Sequence, residues 1–172
     1  DPKSDDVSAE TPATIRFKAD TVANEQLANT ARLQDVDASN FDAVFYPGGH
    51  GPLWDLIDNE QSIKLIEAFW AQGKPVSAVC HAPIALVNAK DENGDFIVKG
   101  REVTGFTNEE EEAVGLTNIV PQLVEDVMIE RGANYSKKES WASFACKDGN
   151  LITGQNPASS EAVAELLLKA LV

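Results

Sequence analysis

Short apolar runs alternate with amphipathic stretches from residue 41 onward. This alternation is typical of β-α-β units, so it predicts an α/β fold with a mostly parallel sheet. The predicted strands are the apolar runs 43–46, 75–79 and 103–106, followed by a small β-hairpin that joins 142–147 to 151–153 through Asp148-Gly149. The predicted helices are the amphipathic stretches 59–72, 82–87 and 121–131, and a last helix that begins at Pro157 after an Asn156 cap.

The first part of the chain differs from this pattern. Residues 1–40 are polar, with a weak helical pattern over 12–31, and residues 1–6 are typical of the middle of a loop. We expect one domain over 1–172, in which 41–172 form the α/β core. Because a doubly wound sheet normally has further central strands, we infer that a leading β-α-β segment is missing or is supplied by another chain.

Composition narrows the classes of partner. The chain has a formal net charge of −14, from 14 basic and 28 acidic side chains. Its only adjacent basic pair, Lys137-Lys138, is followed by Glu139, so no basic patch offsets the repulsion of a nucleic acid or an anionic membrane. No apolar run approaches the roughly 20 residues of a membrane span. We therefore expect a small-molecule substrate, with no nucleic acid or membrane partner.

Cysteine and histidine are scarce. The chain has two cysteines, Cys80 and Cys146, which cannot form a disulfide framework and fit a reducing compartment such as the cytoplasm. Four-ligand zinc spacing is absent, and the only histidines are His50 and His81. We expect no metal site and no cofactor.

The stretch Ala78-Val79-Cys80-His81-Ala82-Pro83 places a cysteine between an apolar strand and a short helix. Such a turn presents a nucleophile at the carboxyl edge of a sheet, and a helix amino terminus behind the sulfur favours the thiolate. The backbone amide of His81 would then point at an oxyanion. The same pattern also fits a structural cysteine that ends a buried strand.

Two further segments add candidate chemistry. Pro47-Gly48-Gly49-His50-Gly51 follows a predicted strand, where backbone amides such as that of Gly49 approach a ligand closely. The run Thr107-Asn108-Glu109-Glu110-Glu111-Glu112 offers a carboxylate that orients a histidine beside a nucleophile. Taken alone, the first segment is also typical of a glycine-rich turn without a ligand. The acidic run alone is also typical of the start of a helix with a capping box.

Four stretches in this order resemble the ThiJ/PfpI superfamily, and within it the branch of glutathione-independent glyoxalases (glyoxalase III, or D-lactate dehydratase) and stress chaperones. They are 41–51, 78–83, 103–107 and 153–159, and the similarity covers essentially the whole chain. The resemblance implies a flavodoxin-like three-layer sandwich with helices on both faces of the sheet. It also implies that family members are often homodimers.

The resemblance further implies residue roles. Cys80 matches the family nucleophile, His81 its partner, and Glu111 the triad acid, with Glu110 as the alternative if the acidic run is shifted by one residue. The amides of Gly49 and His81 match the oxyanion hole, and His50, Thr107 and Asn156 are candidate substrate-binding residues by position. Trp54 and Trp141 are candidate pocket residues on the same ground. The glutamate that the family carries on its first helix has no match in this chain.

The resemblance predicts that the chain converts methylglyoxal or another 2-oxoaldehyde into a 2-hydroxy acid through a thiohemiacetal on Cys80. Protein deglycase activity would use the same residues, and a holding chaperone or redox sensor is the alternative from another class. Exposed placement of Trp54, Trp141 or Phe144 would favour the chaperone. A cysteine peptidase is disfavoured by the tight loop, and a glutamine amidotransferase by the lack of any histidine after His81.

Overall fold

The computed structural model describes Val7 and residues 10–172, so the loop predicted for residues 1–6 lies outside the described residues. The chain forms two compact units, residues 1–36 and 37–172. The single domain expected over the whole chain stays a prediction. Among the described residues, no helix is long and apolar enough to cross a membrane.

The first unit contains two short helices, α1 (Pro12–Ala19) and α2 (Thr21–Ala28). The helical pattern is interrupted at Asp20, whose side chain accepts hydrogen bonds from the amides of Val22 and Ala23 and so caps α2. Neither helix has a buried residue. The one long helical stretch expected here is therefore two separate helices.

The second unit is built on a four-stranded sheet with the order β1-β2-β6-β5. Strands β1, β2 and β6 are parallel, and β5 pairs antiparallel with β6 as the predicted hairpin. Their bounds are β1 Val44–Tyr46, β2 Val76–Val79, β5 Ala145–Asp148 and β6 Leu151–Gly154. The α/β class with a mostly parallel sheet is thus confirmed.

Two helices pack against this sheet, α4 Glu60–Ala71 and α7 Ser160–Ala170. The other helices of the second unit are α3 Pro52–Asp55, α5 Asn108–Ala113 and α6 Val124–Glu130. Helix α4 follows the predicted stretch closely, since Asn59 caps it. The predicted helix over 121–131 begins later than expected, because Leu123 is its cap and Pro121 lies outside it. Pro157 begins a 3₁₀ turn, Pro157–Ser159, that leads into α7.

The third predicted strand, 103–106, is shorter than expected. Only β3 (Glu102–Val103) is a strand, and it pairs in parallel with β4 (Asn134–Tyr135), which no apolar run predicted. The following residues leave the sheet and run past the end of β2, where the amide of Phe106 donates to the Cys80 carbonyl at 2.8 Å.

The register of the main sheet brings three loops to one edge. Tyr46 pairs with Ala78, and Val79 pairs with Gly154, so β1, β2 and β6 end at nearly the same level. The residues behind this edge are apolar and fully buried: Ile66, Val76, Ala78, Val79, Ile84, Leu86, Ile152 and Val163. The rigid core therefore fixes the segments that follow the three strands.

Candidate active site

Cys80 lies at a sharp turn directly after β2. Its backbone has φ +65°, a left-handed conformation that a residue other than glycine adopts only when its surroundings hold it there. The Cys80 amide donates to the Gly154 carbonyl at 2.9 Å, and the Cys80 carbonyl accepts from Phe106. Both backbone groups of the strained residue are thus anchored, and the sulfur is aimed into the gap between the loops.

The glycine loop after β1 packs against this turn. At Gly48, with φ +108°, a Cβ atom would lie 3.1 Å from the Val79 carbonyl oxygen and 3.3 Å from the Cys80 Cβ. A side chain there would push the loop away from the cysteine. Because Gly48 has no side chain, the loop lies close enough for the Gly49 amide to point at the Cys80 sulfur. The amide of His81 also points at this sulfur.

A continuous hydrogen-bonded chain links the sulfur to a carboxylate. Cys80 Sγ lies 3.2 Å from His81 Nδ1, and His81 Nε2 lies 2.7 Å from Glu111 Oε2. A carboxylate only accepts hydrogen bonds, so Nε2 carries the proton and Nδ1 is left as the acceptor that faces the thiol. This is the arrangement of a nucleophile, a base and an orienting acid.

The cysteine is more deeply buried than the sequence suggested. Cys80 is 8% exposed. Burial raises the pKa of its thiol from 9.0 to about 12, although the amides of His81 and Gly49 lower it. The charges of Glu110 and Glu111 raise the pKa further. Burial thus opposes the thiolate that a helix amino terminus was expected to favour, and it favours a neutral thiol at rest.

The ring of His81 packs against two other rings. His50 stacks on it with centroids 3.9 Å apart, and Phe106 contacts it at 4.1 Å. Burial lowers the pKa of His81, and the nearby charge of His50 adds to this, while the hydrogen bond to Glu111 raises it. His81 is therefore a neutral imidazole that can accept a proton. No local sequence signal marked Phe106 as a neighbour of this ring.

The acidic run supplies two buried carboxylates with different surroundings. Glu111 contacts both histidines, because His50 Nε2 lies 3.2 Å from its Oε1. The hydrogen bonds of the Glu110 side chain go to other residues and to neither ring. The alternative left open by the sequence is thus separated by geometry: Glu111, and not Glu110, lies on the His81 ring.

Glu110 is instead the hub of a second set of contacts. Its carboxylate accepts from the Thr107 amide and hydroxyl, from the Trp141 amide at 2.7 Å, and from the side chains of Gln155 and Asn156. Burial alone would raise the pKa of Glu110, but these donors outweigh it and hold the pKa below its ordinary value. The Glu110 carboxylate, whose charged form these donors favour, therefore ties together three segments beside the site.

This hub accounts for two of the predicted substrate-binding residues. Thr107 is the N-cap of α5, and its side chain forms a capping box with Glu110. The Asn156 amide donates to Glu110 and to the Ala142 carbonyl, both at 2.8 Å. Both residues are fully buried. The structure thus brings Cys80, His81, Glu111, His50 and Gly49 together and places Thr107 and Asn156 in the supporting framework.

Comparison with known proteins fits this geometry. The family model described as DJ-1/PfpI family matches residues 6–170. The chain belongs to the DJ-1/PfpI family. The resemblance inferred from the motifs is therefore confirmed, and so is the flavodoxin-like fold: Rapid Encystment Protein 24 kDa of Francisella tularensis matches with a TM-score of 0.92 and 38% identity, over 100% of this chain and 76% of that one.

Two curated relatives carry enzyme names. Glyoxalase 3 of Candida albicans is 33% identical over 86% of this chain and 65% of its own length. A glutathione-independent glyoxalase of Saccharomyces cerevisiae is 32% identical over 88% of this chain and 67% of its own length. This DJ-1/PfpI chain thus spans about two thirds of the length of the curated relatives it matches.

Proposed function

We propose that this chain is a glutathione-independent glyoxalase that converts methylglyoxal, or a related 2-oxoaldehyde, into the 2-hydroxy acid. The observation that carries the proposal is the hydrogen-bonded series from Cys80 through His81 to Glu111. The names of the two curated relatives point to the same substrate class. Cys80 is the proposed nucleophile, His81 the base, and Glu111 the residue that orients the base.

In the first step, Cys80 Sγ forms a bond to the aldehyde carbon, C1. Because the resting thiol is neutral, its proton moves to His81 Nδ1 as the bond forms, and the negative charge moves on to the aldehyde oxygen. The amides of Gly49 and His81 that point at the sulfur also lie beside the carbon that it attacks, so they are the proposed donors to this oxygen. The oxygen then takes the proton from Nδ1, and a thiohemiacetal results.

In the second step, His81 Nδ1 removes the hydrogen from C1, and an enediolate forms across C1 and C2. The same nitrogen returns the proton to C2, and the hydroxyl proton of C1 shifts to the C2 oxygen. C1 is oxidised to a thioester and C2 is reduced to an alcohol, so no external oxidant or cofactor is needed. Water, deprotonated by His81, then cleaves the thioester, and Cys80 leaves as the thiol.

The test is lactate formation from methylglyoxal without glutathione. Wild-type protein is expected to produce lactate, and Cys80→Ala is expected to abolish it. Cys146→Ala is the matched control, since Cys146 is the other buried cysteine and contacts Glu102 and Thr153 instead of the site. Lactate formation that survives in Cys80→Ala would exclude the proposed reaction.

A holding chaperone is the second candidate, because two tryptophans lie at the surface. Trp54 is 55% exposed and Trp141 is 45% exposed, whereas Phe144 is half-buried. A contiguous exposed apolar patch is the kind of surface that binds unfolded chains, and the two tryptophans are its proposed members. Suppression of the aggregation of a heated client protein should then be unaffected by Cys80→Ala and weakened by Trp54→Ser with Trp141→Ser. If the tryptophan variant suppressed aggregation as well as wild-type protein does, the chaperone candidate would be excluded and the glyoxalase proposal would stand alone.

A further inference from the structure

Both histidines of the chain converge on one carboxylate. His50 Nε2 lies 3.2 Å from Glu111 Oε1, and His81 Nε2 lies 2.7 Å from Glu111 Oε2. One ligand atom from each of the three residues fits within a span of 4.8 Å. The sequence separates these residues by 31 and 30 positions, which is why no metal-ligand spacing was visible.

The donor set and its dimensions suit a divalent transition metal. Two imidazole nitrogens and one carboxylate oxygen are ligands of zinc sites that keep a fourth position open. Around a tetrahedral ion with bonds of about 2.0–2.1 Å, the ligand atoms lie roughly 3.3 Å apart. The two observed distances run to different oxygens of Glu111, 3.2 Å from His50 Nε2 to Oε1 and 2.7 Å from His81 Nε2 to Oε2. An ion held by one of these oxygens therefore needs a small shift of the side chains, because one ligand atom from each residue already lies within 4.8 Å of the others.

The surroundings hold the ligands in place and leave an entrance. The stacked rings of His50 and His81 are tilted by only 36°, and Phe106 lies against His81, so both Nε2 atoms stay directed at the carboxylate. The side chains of His81 and Glu111 are 2% exposed, whereas that of His50 is 39% exposed. A metal ion can therefore reach the cluster past His50, and a water molecule can fill the fourth position.

We propose that His50, His81 and Glu111 form an inhibitory site for a divalent transition metal of the Zn²⁺ class. The ion replaces the hydrogen bonds at both Nε2 atoms. In the neutral His81 ring, the single proton must then move from Nε2 to Nδ1. Nδ1 becomes a donor to Cys80 and can no longer accept a proton from it. Binding of the metal itself does not depend on the proposed reaction, but the inhibition does.

The binding test is calorimetric titration of the chelator-treated full chain with Zn²⁺. Wild-type protein and Cys80→Ser are expected to bind one ion with similar affinity, since Cys80 faces Nδ1 and not Nε2. His50→Gln is expected to bind at least tenfold more weakly, because even the loss of a residue that supports a ligand costs about 10- to 100-fold. Glu112→Gln, an exposed neighbour of Glu111, is the control with unchanged binding.

Two outcomes would overturn the site. One is equal binding by wild-type protein and His50→Gln; the other is loss of binding in Cys80→Ser with retention in His50→Gln, which would place the ion on the cysteine.

The inhibition by the metal is tested by the ratio of lactate formation with and without Zn²⁺ within each variant. For wild-type protein and Glu112→Gln, the rate with Zn²⁺ should be at most about one tenth of the rate without it, and a chelator should restore the full rate. For His50→Gln, Zn²⁺ should lower the rate less. A failure of lactate formation altogether would count against the glyoxalase proposal and leave the binding result intact.

Discussion

Replacement of Glu111 by glutamine separates the role of its charge from that of its shape. Glu111→Gln keeps the size of the side chain, and its amide oxygen can still accept from His81 Nε2. What is lost is a carboxylate 2.7 Å from a ring that must become an imidazolium during the reaction. The buried position of both groups means that water does not replace the lost charge.

The magnitude follows from that single contact. A hydrogen bond to a charged group contributes about 1.5–3 kcal/mol and a neutral one about 0.5–1.5 kcal/mol, so the substitution loses the difference, roughly 1–1.5 kcal/mol. Because each 1.36 kcal/mol corresponds to about a tenfold change, we expect kcat for lactate formation to fall by about 5- to 13-fold in Glu111→Gln. The melting temperature should change little, because the shape and the neutral hydrogen bond are kept.

Glu110→Gln is the control one residue away. Glu110 does not contact His81 but accepts from five donors in three segments. An amide in its place directs its own NH₂ group at some of those donors, so we expect a loss of stability of about 1–3 kcal/mol. For a chain of this size, that corresponds to a fall in melting temperature of about 2–4 °C per kcal/mol.

The assay compares kcat, measured well below each melting temperature, with thermal unfolding of both variants. We expect Glu111→Gln to lose activity and Glu110→Gln to lose stability. If Glu110→Gln lost more kcat than Glu111→Gln while remaining folded, the assignment of Glu111 as the orienting acid would be refuted.

Two other predictions concern the nucleophile and its loop. Gly48→Ala should destabilise the protein by at least about 1 kcal/mol more than Gly94→Ala, because both positions have positive φ but only Gly48 lies against Val79 and Cys80; equal shifts in melting temperature would contradict the close approach. In a Cys146→Ala background, alkylation of Cys80 by iodoacetamide should keep accelerating above pH 9, because the thiol has a pKa of about 12 and is neutral below it. A rate that levels off near neutral pH would show that the site holds a thiolate.

The sequence predicted the two central strands of the sheet, β2 and β6, well because both are buried along their whole length. Strand β2 is buried at every position, so it appears in the sequence as a short, continuous run of mostly apolar residues. The two-residue strand β4 and the four-residue helix α3 were missed, since neither is long enough to show a period. The late start of α6 reflects Leu123, which caps the helix without a side-chain hydrogen bond and so leaves no signature.

The site was predictable as far as its motifs are local. Cys80 and His81 are adjacent, and the turn after a buried strand marks them. Glu110 and Glu111 are neighbours in a run of four glutamates, so their side chains leave the helix in different directions. Only contacts with distant segments show which of them reaches His81. The sequence did not predict a neutral Cys80 thiol, because the local turn indicates only the backbone groups that stabilise a thiolate. Burial, which disfavours the thiolate, depends on the whole fold.

The proposed reaction requires that Cys80 forms a thioester during turnover of a 2-oxoaldehyde. The most direct measurement mixes the protein with methylglyoxal, quenches in acid within a turnover, and maps the modified peptide by mass spectrometry. We expect a lactoyl group on Cys80 that hydroxylamine removes, and none in Cys80→Ala. A lactoyl group found only on Cys146 or on lysine side chains, with Cys80 unmodified while lactate forms, would contradict the proposed reaction.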